Sequence, residues 1–361
     1  YNVHVYPKNT LSGVDKQVTD KPAPGSGQNI TYTITTSIPK VDYPGGARIK
    51  RYEVVDQLDK RINKSTLAPV VKIVSGQQET VLADTTDYTL ITAEGTKHNW
   101  ATIQLTEEGR RKAAEARHNG NGETKVQVTL TATFDPKSVD LEGVLSNTAG
   151  LIPNDSPNFT WDPNNPGTTT DVPGIPTTPV LSKYGKVNLT KTGTDKLDDK
   201  TKYNGAQFQV YECTKTASGA TLRDGDPSTP TVDPLTIGGE KTFTTAGQGT
   251  VTINSLRAND YVDGVKKDAL TDEDYYCLVE TKAPEGYTLQ PDPIPFRVLA
   301  TDAEAKVPTE VTVTDVPKNA GFRLPLTGAN GVIFLTVAGA LLVVGGAVIA
   351  YANKRRHAAK H

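Results

Sequence analysis

Methionine is absent from all 361 residues, cysteine and tryptophan occur twice each, and aromatic residues make up only 6% of the chain. Without a methionine, residue 1 does not read as a translational start, so a fragment or processed product is expected, with any signal peptide outside it. Two cysteines exclude a disulfide-rich scaffold. Cys213 and Cys277 show neither Cys-x-x-Cys spacing nor a zinc pattern, which leaves one bridge or two free thiols. Excess charge of one sign is missing too: 39 basic and 41 acidic side chains give a net charge of -2. That balance offers no footprint for nucleic acid. Long apolar runs are missing from all but one place, which excludes a multi-span membrane protein. His4, His98, His118, His357 and His361 form no paired metal spacing. No nucleophile elbow, P-loop or dinucleotide fingerprint occurs, and no cofactor is expected. Asp224 and Asp226, and Asp195 and Asp198, are weak calcium candidates without the twelve-residue EF-hand pattern and read better as solvated loops.

The one long apolar run, Gly331 to Tyr351, carries no charge. At helical rise it matches a hydrocarbon core of roughly 30 Å. Lys354, Arg355, Arg356 and Lys360 follow it and place the tail in the cytoplasm, so that everything before Gly331 lies outside the cell. In that oxidising compartment Cys213 and Cys277 are expected to pair. Immediately upstream stand Leu324, Pro325, Leu326, Thr327 and Gly328. Pentapeptide, apolar stretch and basic tail in this order resemble the cell-wall sorting signal of Gram-positive surface proteins. The resemblance implies that a sortase cleaves between Thr327 and Gly328, leaving Thr327 as an acyl-enzyme and the span at 331–351 as a temporary tether.

Upstream, the chain is punctuated like a β protein. QNITYTITTSIP at 28–39, ARIKRYEVVD at 47–56 and TKVQVTLTATFD at 124–135 alternate as half-buried strands do. The stretch from Thr106 reads as a short capped helix closed by a Gly/Asn-rich turn. Prolines at 153, 157, 163, 166, 173, 176 and 179 mark 152–182 as an extended, stiffened connector. Short strands resume from Lys183 to Asn319. The expected fold is all-β: two tandem immunoglobulin-like β-sandwiches, at 11–151 and 183–319, preceded by a motif segment at 1–10 and followed by the sorting signal at 320–361 with its single transmembrane helix.

The second half carries the most specific motif. Tyr276, Leu278, Glu280, Thr281, Ala283, Pro284, Gly286 and Tyr287 fit every defined position of the pilin E-box, YxLxETxAPxGY. With GKVNLTKTGTD and YNGAQFQVYE before it, the region resembles the B-type domains of collagen adhesins as they occur in pilus subunits. The resemblance implies that Glu280 catalyses an internal isopeptide bond from Lys191, which follows Val187 and Leu189 in alternating register. The implied acceptor is Asp315, with Asn319 as the alternative. Burial explains why such residues are needed: it strips the lysine of its charge, leaving a nucleophile, and raises the pKa of the neighbouring carboxyl. The protonated acid then polarises the target carbonyl and shuttles the proton.

The first half offers a parallel set. Val3, Val5, Tyr6, Pro7, Lys8 and Asn9 resemble the pilin motif, whose lysine, here Lys8, attacks the sortase-bound threonine of the next subunit. Lys16, Asn147 and Asp56, with Asp59 as a rival acid, fit the A-type collagen-adhesin pattern, in which the catalytic acid is aspartate. The whole therefore resembles the major, shaft-forming pilins of sortase-assembled Gram-positive pili. That family implies a structural role rather than an enzyme. Its partners would be identical subunits, pilus-specific and housekeeping sortases, minor tip and base pilins, peptidoglycan and a host-surface receptor, with no nucleic acid. The other reading is a monomeric wall-anchored adhesin.

Overall fold

The computed structural model describes residues 13–20, 29–45, 48–120, 124–133, 143–154, 160–223 and 232–318. Lys8, Asp224, Asp226, Asn319, residues 324–328, the apolar run at 331–351 and the basic tail lie outside them. Among the described residues no helix is long and apolar enough to cross a membrane.

Alternation builds the first half. β1 (Val14–Thr19) pairs antiparallel with β2 (Asn29–Ser37), and β2 turns Ile30, Tyr32, Ile34 and Thr36 inward. There follow β3 (Tyr52–Asp59), β4 (Ala68–Ser75), β5 (Gln78–Val81), β6 (Tyr88–Glu94) and β7 (His98–Leu105). Then come α1 (Glu107–Asn119), β8 (Lys125–Thr133) and β9 (Gly143–Pro153). One sheet has the order β1-β2-β8-β4-β5, and the other carries β9-β3-β7-β6. Between them Ile34, Val71, Val128, Ile103 and Leu151 belong to one apolar core. The helix starts where expected: the Thr106 hydroxyl accepts from the Gly109 N–H, and Glu107 and Glu108 complement the positive end of the helix dipole. Gly109 is needed inside it because a Cβ there would stand 1.9 Å from the Asp87 carbonyl oxygen.

The second half comprises β10 (Ile175–Pro176), β11 (Val180–Gly193), β12 (Gln207–Thr216), β13 (Gly219–Leu222), β14 (Phe243–Thr244) and β15 (Thr250–Arg257). It continues with β16 (Tyr261–Val262), β17 (Val265–Lys266), β18 (Tyr275–Lys282), β19 (Ile294–Phe296), α2 (Ala300–Ala305) and β20 (Thr309–Asp315). Val187, Leu189, Phe208, Val210, Leu278 and Val313 share a second core. Two stretches with the look of single strands are divided. KTFTTAGQGTVTINSL breaks at the Ala246–Gly249 turn, where Gly247 and Gly249 take positive φ, and IPFRVLA leaves the strand after Phe296 and enters α2.

β11 joins the halves. Val180–Tyr184 pair with β9, Tyr184–Thr190 pair antiparallel with β15, and Val187–Gly193 run parallel to β20. The described part of the Pro-rich segment lies along the first half. β10 pairs with β9, the Trp161 ring centroid is 5.0 Å from that of Trp100, and Val172 packs on the same cluster with Val55 and Ile152. The few large apolar residues among the prolines give that segment a surface to bury.

In the second half β12 and β18 are neighbours, with Tyr211 opposite Cys277 and Cys213 opposite Tyr275. The two cysteines form a disulfide with Cα atoms 5.8 Å apart, closing a separation of 64 residues. The chain-entropy treatment assigns such a loop about 4 kcal/mol. Cys277→Ser is therefore expected to move the urea midpoint of this half well down; an unchanged midpoint would refute a stabilising bridge.

Candidate functional site

Two buried lysines face carboxyl groups, one in each core. In the first, Lys16 and Val18 occupy the inward positions of β1, while Asp56 comes from β3 in the opposing sheet. The Lys16 Nζ lies 2.5 Å from Asp56 Oδ1, with both side chains sealed from solvent, and 4.6 Å above the Tyr32 ring centroid. Asp56 pairs with Ala149 on β9, and Asn147 occupies the next inward position of that strand at 1% exposure. The Asn147 side chain is buried and lies within reach of both Asp56 and the Tyr32 hydroxyl. Burial pushes the Lys16 ammonium down and the Asp56 carboxyl up, each opposed by the other's charge. Asp59 lies elsewhere. Burial pushes it up, but bonds from the Arg61 backbone and guanidinium outweigh this and hold its carboxyl below the usual range.

The second cluster draws on three strands. Val187, Leu189, Lys191 and Gly193 share the inner face of β11; Val311, Val313 and Asp315 share that of β20. In the parallel register Lys191 lies opposite Val313 and Gly193 opposite Asp315. Glu280 reaches in from β18 across the core. Its Oε1 is 3.3 Å from the Lys191 Nζ, which also forms an ion pair with Asp315. All three side chains have no exposed surface. Glu280 Oε2 accepts from the Gln290 N–H at 2.8 Å, a donor with no sequence signal because it comes from a loop ten residues on. Burial first, then the charge of Asp315, raises the Glu280 carboxyl to about 6 against the opposing pull of Gln290 and Lys191. Burial also raises Asp315.

The rest of the E-box is divided between core and loop. The Tyr276 hydroxyl donates to the Arg257 carbonyl at 2.8 Å, Leu278 packs in the core, and Gly286 takes φ +85° where the chain turns. The Tyr287 hydroxyl donates to Asp195 Oδ2 at 2.7 Å. Asp195 is a solvent-exposed loop residue, as expected, and its carboxylate also accepts this bond. Among the described residues no group of three His, Cys, Asp or Glu side chains is placed to hold a metal.

Each arrangement puts an amine beside a carboxyl within a dry β core, on chains whose C-terminal region matches the family described as the LPXTG cell wall anchor motif, at residues 316–359. Residues 185–316 match the SpaA family, described as a prealbumin-like fold domain. Together they define a β-built surface protein attached to the cell wall. The type 1 fimbrial subunit of Actinomyces viscosus is 87% identical over 361 residues, which is 100% of this chain and 67% of that protein. The type 2 fimbrial subunit of Actinomyces naeslundii is 33% identical over 366 residues, covering 99% of this chain and 63% of that protein. The solved structure of the fimbrial protein FimP from Actinomyces oris matches with a TM-score of 0.79 at 86% identity, covering 88% of this chain and 70% of that one. The chain belongs to the major pilins of Gram-positive pili. It spans about two thirds of the length of the curated relatives it matches.

Proposed function

We propose that this pilin is the shaft subunit of a covalent fibre, polymerised through Lys8 and Thr327 and stiffened by one internal amide in each of two tandem immunoglobulin-like domains, at 11–151 and 183–319. The observation that carries the internal chemistry is the meeting of Lys191, Glu280 and Asp315, from the first strand, a facing strand and the last strand of one core. In the first domain the Lys16 amine attacks the Asn147 carboxamide carbon, and ammonia leaves. Asp56 takes the proton released by the amine and returns it to the leaving nitrogen. In the second, the Lys191 amine attacks the Asp315 carboxyl carbon and water leaves. Protonated Glu280 hydrogen-bonds the carbonyl oxygen and shuttles the proton as the tetrahedral intermediate collapses.

Polymerisation supplies the third amide. A sortase cysteine cuts the Thr327–Gly328 bond, releasing the apolar tether and basic tail, and the Lys8 amine of another subunit displaces the cysteine from Thr327. Identical subunits, pilus-specific and housekeeping sortases, tip and base pilins and peptidoglycan are the partners this route requires; a host receptor is reached through the assembled fibre. The chain is in this reading a sortase substrate and acts as a catalyst only on itself.

Peptide-resolved mass spectrometry of the full chain tests the internal links. The Lys16–Asn147 pair is expected to lose one ammonia, about 17 Da, and the Lys191–Asp315 pair one water, about 18 Da, as condensation requires. Asp56→Ala should abolish the first loss and spare the second. Linear peptides at both sites in the wild-type chain would overturn the proposal.

A further inference from the structure

The Lys191 cluster sits where β11 and β20 end, beside turns that face solvent. Water at that end would favour the charged forms of Glu280 and Asp315 and work against a condensation that expels water. Two large rings close it. Tyr203 is fully buried and Tyr287 is 5% exposed, with ring centroids 5.5 Å apart. Both flank Gly193, the residue opposite Asp315 and one inward position beyond Lys191. A Cβ on Gly193 would meet Tyr287 Cε1 at 2.6 Å and Tyr203 Cε1 at 3.0 Å. Tyr203 also covers Gly249, whose carbonyl accepts the Lys191 N–H at 2.7 Å and where a Cβ would meet the Tyr203 Cβ at 2.8 Å.

One carboxylate holds both rings. Asp195 Oδ1 accepts from the Tyr203 hydroxyl at 3.1 Å and Oδ2 from the Tyr287 hydroxyl at 2.7 Å. The Tyr203 oxygen in turn accepts the Leu197 N–H at 2.9 Å. Backbone bonds fasten the Tyr287 loop to the chain after Asp315: the Thr288 N–H donates to the Val316 carbonyl, and the Lys318 N–H to that of Gly286. On the other side, the Thr194 N–H donates to the Asp315 carbonyl at 2.9 Å. The groups facing Glu280 are Lys191 from β11, Asp315 from β20 and the Gln290 N–H; Asp195 is not among them.

We propose that Asp195, Tyr203 and Tyr287 form a clamp that seals the solvent end of the Lys191–Glu280–Asp315 cluster and serves as a set of positioning residues for amide formation. The clamp rests on the isopeptide reading given above. It touches no reacting atom. Its work is to exclude water and to fix Gly193, and with it the spacing of Lys191 and Asp315.

The test follows linkage in time. The full chain is made by cell-free synthesis at a series of pH values, quenched in denaturant and digested, and the fraction of Lys191 peptide joined to Asp315 peptide is measured. Wild-type linkage is expected to slow as pH rises past the Glu280 value of about 6. In Tyr287→Phe and Asp195→Ala, water admitted to the cluster should move that limb down by about one pH unit and slow linkage at neutral pH about tenfold. Asp195→Glu should recover part of the rate. Linkage at the wild-type rate, or slower linkage with an unmoved limb, would overturn the clamp while leaving the isopeptide reading intact. A wild-type chain with no linked peptide would remove both. Should Asp195→Ala fail to fold, Tyr287→Phe, which keeps the ring, decides by the same two readouts.

Discussion

Lys8→Arg is expected to leave a folded, wall-attached chain that never enters a high-mass ladder. Arginine keeps the positive charge and most of the length of lysine, so folding and export have no reason to change. What it loses is a neutral amine: the guanidinium stays protonated at any pH a cell meets and cannot attack the acyl group on the sortase. Because every junction in the fibre needs one nucleophile and one acyl donor, the effect is all-or-none rather than graded. Wall extracts boiled in detergent and separated by electrophoresis would show monomer alone. A persistent ladder would move the junction to another lysine. A monomeric adhesin, in contrast, would show no ladder in the wild type.

The second large effect is expected from Glu280→Ala. Without the acid, Lys191 and Asp315 should remain unlinked, and the water loss of about 18 Da should vanish while the ammonia loss of the first domain stays. The lost link closes 315 - 191 = 124 residues. In the chain-entropy treatment that constraint is worth about 5 kcal/mol. The second domain should therefore melt roughly 15–20 °C lower. Calorimetry under reducing and non-reducing conditions separates this loss from that of the Cys213–Cys277 bridge. A Glu280→Ala chain that still loses water would show that Lys191 and Asp315 need no catalyst.

Much of this was legible in the residues, for reasons the structure makes concrete. Alternation fixes which side chains meet. Tyr276, Leu278 and Glu280 differ by two, so a strand that buries Leu278 also buries Glu280; Val187, Leu189 and Lys191 obey the same rule on β11. Thr106 was readable as a helix cap because its partner, the Gly109 N–H, is local. Other features depend on partners far away in the chain. The tyrosines that Asp195 holds are 8 and 92 residues from it. Nothing around Asp195 distinguishes it from Asp198. The segment at 152–182 has the composition of an extended, stiffened connector, and what composition did not show is that its second half pairs with β9, because edge strands take any backbone that offers unpaired N–H and C=O groups.

The course of β11 determines what a pulled fibre can give up. In the proposed fibre, load would enter near Lys8 and leave near Thr327, and with both internal amides closed it would cross directly from Lys16 to Asn147 and from Lys191 to Asp315. Apart from the short stretches from Lys8 to Lys16 and from Asp315 to Thr327, the chain left to carry tension would be that between Asn147 and Lys191. That is 191 - 147 = 44 residues, and Asn147 itself lies opposite Val180 in the β9–β11 ladder. Between those two paired residues the chain makes an excursion of 180 - 147 = 33 residues, about 110 Å when drawn straight. It is fastened by backbone hydrogen bonds and by the packing of Trp161 and Val172, whereas Leu151 at one end and Val187 and Leu189 at the other are anchored in the two cores. A fibre so linked would be inextensible at its amides and would give way first in the segment that joins its halves.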